Sequence, residues 1–77
     1  SVYTDILSKR SLRQKLLAYF DTLRKEAGSN TFTLPMSLSS LAEYLCVDRS
    51  AMMREIKQLR EEGFQASDKR TFTLLIQ

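Results

Sequence analysis

Ser37-Leu38-Ser39-Ser40-Leu41-Ala42-Glu43-Tyr44-Leu45-Cys46-Val47-Asp48-Arg49-Ser50-Ala51-Met52-Met53-Arg54-Glu55-Ile56-Lys57-Gln58-Leu59 is the stretch that decides the fold. Leu38, Leu41, Ala42 and Leu45 recur at the spacing of one helix face, and Ser37 stands where an N-cap hydroxyl should be. Cys46-Val47-Asp48 interrupts that period. Asp48 is a second N-cap, opening a helix that turns Met52, Ile56 and Leu59 inward and that Gly63 closes. Two short helices joined by so brief a turn read as a helix-turn-helix.

Working outward, Phe64-Gln65-Ala66 and the run Thr71 to Ile76 flank the polar segment Ser67-Asp68-Lys69-Arg70, which predicts a β-hairpin. Upstream, Thr31-Phe32-Thr33-Leu34 alternates polar and apolar residues until Pro35 ends it, so a short strand is expected there. Before it, Leu12, Leu16, Phe20, Leu23 and Ala27 form an apolar stripe that Gly28 terminates. That helix starts at Ser11, or earlier near Thr4 so as to take in Ile6 and Leu7; Arg13, Lys15, Asp21 and Arg24 fall on its outer face and read as solvated. The fold class is therefore α+β, mainly α: a winged helix-turn-helix with a leading helix, a short strand, the helix pair and a C-terminal hairpin wing. Residues 1–77 are expected to make one domain, because a core of this size leaves no room for two.

Composition narrows the function. There is no histidine and a single cysteine, Cys46, which excludes a disulfide framework and the common zinc patterns and removes the usual general base. No enzyme, no metal site and no cofactor are expected. Cys46 reads as a small buried apolar residue. The chain lacks any apolar run long enough to span a bilayer and begins without a signal-peptide pattern, so a cytoplasmic site and no membrane contact are expected. The net charge of +3 permits an anionic partner without demanding one.

Where the cations sit says more. In a helix-turn-helix the second helix offers its free face to the DNA major groove. Removing the inward positions leaves Arg49, Ser50, Met53, Arg54 and Lys57, three cationic and none acidic. Arg54 and Arg49 are the candidate base readers, since the guanidinium fork matches guanine O6 and N7; Ser50 and Met53 share that face. Lys57 is suited to a phosphate, as are Lys69 and Arg70 at the hairpin tip and the hydroxyls of Ser37, Ser39 and Ser40 at the start of the first helix of the pair. The recognition helix is thus expected over about residues 49–61, with the wing tip, 67–70, on the backbone of the same duplex. Two other readings compete: a merely solvated charged face, or a winged helix used as a protein-interaction module with its contact centred on Met53 and the hairpin.

Four linked runs carry a resemblance: Phe32-Thr33-Leu34-Pro35-Met36-Ser37, Leu41-Ala42-Glu43-Tyr44-Leu45, Asp48-Arg49-Ser50-Ala51-Met52-Met53-Arg54-Glu55-Ile56, and Leu59-Arg60-Glu61-Glu62-Gly63-Phe64. In order and spacing the chain resembles the C-terminal domain of Crp/Fnr-type bacterial transcription regulators. The resemblance implies a homodimer that reads a palindromic operator of double-stranded DNA near promoters, with RNA polymerase a possible partner. It also implies that the chain is the output part of a longer protein whose sensor half takes an effector. Arg49 and Arg54 match the family's two base-reading arginines, and Ser50 stands where the family has glutamate. Cys46 replaces a glycine usual in the turn, and Met53 a small residue.

Overall fold

Local capping explains most of the chain's elements. The computed structural model describes residues 1–75. Ser1 Oγ accepts from the Thr4 amide at 3.1 Å and opens α1 (Val2–Leu7); Ser11 Oγ accepts from the Gln14 amide at 3.1 Å and opens α2 (Leu12–Ala27). The long helix takes the Ser11 start; the earlier alternative, one helix running on from near Thr4, is not formed, and Ile6 and Leu7 belong to a separate short helix that begins at Val2. α2 ends at Gly28, whose φ of 63° is left-handed backbone that a side chain would strain.

β1 (Thr31–Thr33) is one residue shorter than the alternation predicted: the Leu34 amide still donates to the Arg70 carbonyl at 2.8 Å, but the Arg70 amide bonds the Asp68 carboxylate and does not return the ladder bond. α3 (Leu38–Leu45) is capped by Ser37 and α4 (Arg49–Glu62) by Asp48, whose carboxylate accepts from the Ala51 amide at 2.9 Å. β2 (Phe64–Ala66) and β3 (Thr71–Leu74) form the expected hairpin. The predicted last strand ran to Ile76; β3 ends at Leu74, and Ile76 lies outside the described residues.

The sheet order is β1-β3-β2, antiparallel throughout. β3 is thus central, and β1 braces the outer side of the hairpin. Thr31 pairs with Thr73 and Thr33 with Thr71, their hydroxyls bonded across the ladder at 2.9 and 3.1 Å. On the inner face Phe20 of α2, only 1% exposed, meets Phe32, Phe72 and Phe64 with ring centroids 5.1 to 5.4 Å away. Leu41 and Leu45 of α3 and Met52, Ile56 and Leu59 of α4 complete the same core. Among the described residues the result is a mainly helical α+β domain with four helices and a three-stranded antiparallel sheet, the architecture of a winged helix.

Three expectations need correction. Ala27 is exposed, as are all residues from Lys25 to Ser29 at the end of α2. Cys46 is exposed, not buried: it caps α3 at φ 58°, ψ 46°, and this left-handed turn swings its side chain off the helix stripe and toward Tyr3. The outer face of α2 is more than solvated. Arg13 bonds Glu55 at 2.9 Å and also Glu62, Lys15 donates to the Leu45 carbonyl at 3.2 Å, and Arg24 holds the Asn30 side chain at 3.1 and 3.2 Å.

Candidate nucleic-acid interface

The inward set Met52, Ile56 and Leu59 fixes the rotation of α4, so the remaining faces are determined by the helical period. Arg49, Ser50, Met53, Arg54 and Lys57 are all exposed, Met53 at 37%. Three grooves border this face. In the first, Arg49 lines a notch with Ser37, Leu38, Ser39, Lys69 and Arg70. Cations from α4 and from the hairpin tip therefore meet beside the start of α3. In the second, Met53 and Lys57 lie along a channel between α4 and β2 that also takes in Ile56, Arg60, Ala66 and Leu75. In the third, Arg54 sits with Leu12, Ala51, Glu55 and Gln58 on the side of α2.

The hydroxyls divide in the same way. Ser37 is occupied in capping α3 and donates to Ser40 Oγ at 3.1 Å, which leaves the Ser40 proton free to point outward. Ser39 is exposed and lines the notch, whereas Ser40 does not. Of the predicted phosphate set, then, Ser37, Ser39, Lys69 and Arg70 come together with Arg49, and Lys57 stands apart on the far flank.

The hairpin tip is shaped by Asp68. Its carboxylate accepts from the Arg70 and Thr71 amides, both at 2.8 Å, and those bonds hold its pKa below the ordinary aspartate value. Lys69 and Arg70 are thereby presented on an ordered turn. Among the described residues, none of Arg49, Arg54, Lys57, Lys69 and Arg70 is paired with a carboxylate. Arg60 was not singled out by sequence, although its spacing of three from Lys57 was a readable signal that both share one channel.

This chain resembles a transcription regulator. It is 38% identical over 56 residues to the probable transcriptional regulator flp of Lacticaseibacillus casei. The match takes in 73% of this chain and 26% of that protein, so the chain spans about a quarter of the length of the curated relative. No protein-family model matches the chain, and no solved structure matches it. The transcription-regulator likeness covers most of a chain whose exposed surface around α4 gathers unpaired cations from two elements. Among the described residues, no helix is long and apolar enough to cross a membrane.

Proposed function

We propose that this chain is a DNA-binding domain of a transcription regulator, reading a duplex with the free face of α4 and holding its backbone with the hairpin tip. The observation that carries this reading is the exposed set Arg49, Arg54, Lys57, Lys69 and Arg70, unpaired with acid among the described residues and arranged on a helix-turn-helix and its wing. The partial likeness to a probable transcriptional regulator supports it. Arg54 and Arg49 read base edges, with Ser50 and Met53 beside them; Lys57, Lys69, Arg70 and the hydroxyls of Ser37, Ser39 and Ser40 engage phosphates. Binding needs no cofactor in this domain and involves no catalysis. The finer assignment is a Crp/Fnr-type regulator acting as a cytoplasmic homodimer on a two-fold operator, where RNA polymerase is a further partner. Ser50 then distinguishes the half-site, because a hydroxyl does not reproduce the carboxylate that accepts from cytosine N4.

Selection from a random duplex pool with an artificially dimerised chain tests the reading directly, and recovery of a palindrome is the expected outcome. On the selected site, Arg54→Ala should lose about 1–3 kcal/mol of discrimination at one base pair, while Lys69→Ala should weaken all sequences alike and lower the salt slope by about one. Binding untouched by both changes overturns the groove model.

A further inference from the structure

Resting on that reading, the geometry points to Arg13 as a positioning residue for the DNA-facing surface: it sequesters two of the carboxylates of α4 and so keeps Arg54 unpaired. The helix carries three acids, Glu55, Glu61 and Glu62, against four cations. A single guanidinium on α2 holds two of them, Glu55 through Nη1 at 2.9 Å and Glu62 through Nη2. Arginine suits this task because its planar fork presents two donors at once. The pair of bonds raises the Arg13 pKa, Glu62 contributing most.

The position of Glu55 makes the clamp consequential. Glu55 lines the same groove as Arg54, with a side chain only 21% exposed, and its carboxylate is turned to α2 by Arg13. Without Arg13 this carboxylate is left largely buried and uncompensated, and the cation that lines its groove is the adjacent Arg54. A guanidinium so engaged cannot offer both N–H groups to a base. Glu62, at 53% exposure, would add a second uncompensated negative charge to the same helix. Lys15, two residues on, ties α2 to the C-terminal carbonyl of α3, so one turn of α2 grips both helices of the pair.

Four forms of the 77-residue chain test this by anisotropy with a fluorescent duplex at several salt concentrations: wild type, Arg13→Gln, Arg13→Gln with Glu55→Gln and Glu62→Gln, and Arg13→Gln with Glu26→Gln and Glu43→Gln. The last two carry the same net charge. The single variant is expected to bind about fivefold more weakly than wild type with a shallower salt slope, and the Glu55/Glu62 triple variant to recover wild-type affinity even where its Tm stays low. Recovery by the Glu26/Glu43 form to the same degree would show a bulk charge effect and overturn the inference. So would a Glu55/Glu62 form no tighter than Arg13→Gln, since a purely structural role is not rescued by removing the acids. A wild type that binds while Arg13→Gln binds equally overturns the positioning role alone; a wild type that binds no duplex overturns the DNA reading and this inference with it.

Discussion

Two side chains show how a single residue sets local geometry. Cys46 sits at φ 58°, where a Cβ crowds the backbone and glycine does not. Cys46→Gly is therefore expected to stabilise the domain by about 1 kcal/mol, read as an upward shift in a chemical denaturation midpoint. The resemblance supplied the expectation of glycine in this turn, but cysteine's usual preference for burial pointed inward, because propensity scales do not register a left-handed cap. Asp68 is the second case. Its pKa is lowered in the native chain, so it contributes stability above the ordinary value of 3.8, and that contribution is lost as pH falls through the lower native value. The Tm difference between wild type and Asp68→Ala should thus be full at pH 7 and shrink steadily below about pH 4. A difference independent of pH would mean the carboxylate charge contributes nothing to the turn.

At the scale of elements, what was legible in the sequence was what is local. Ser11, Ser37 and Asp48 each accept from the amide three residues on, and Gly28 and Gly63 end their helices, all within reach of a short window of sequence. Replacing Asp48 by Ala should cost about 1 kcal/mol and speed amide exchange at Ala51, since the first turn of α4 loses its only side-chain cap. Exchange unchanged at that amide would argue that the turn is held by packing instead. What was not legible depends on distant pairing. Nothing in the run Thr31 to Leu34 says that it will lie against β3 and not β2, and the Arg13 bonds to Glu55 and Glu62 join residues 42 and 49 positions apart. The candidate site divides along the same line: the exposed set on α4 follows from helical period, while the meeting of Arg49 with Lys69 and Arg70 in one notch needed the sheet.

For the molecule as a whole, stability converges on Phe20, which contacts a phenylalanine from every strand of the sheet. Phe20→Ala should cost about 3–5 kcal/mol, a large share of what so small a domain possesses, and lower Tm by at least about 12 °C. A milder loss would mean that the three remaining rings repack around the gap. The central place of β3 has a mechanical side as well. Its edge with β1 continues through the bond from Leu34 to Arg70, so the segment leading into α3 is fastened to the base of the hairpin tip. The sheet thereby sets the spacing between the tip and the start of the helix pair, as a caliper is set before it is used. If the proposed DNA reading holds, a duplex would meet a gap whose width is already set, so that little chain entropy would be spent on closing around it and discrimination would fall on grooves whose own width matches the gap.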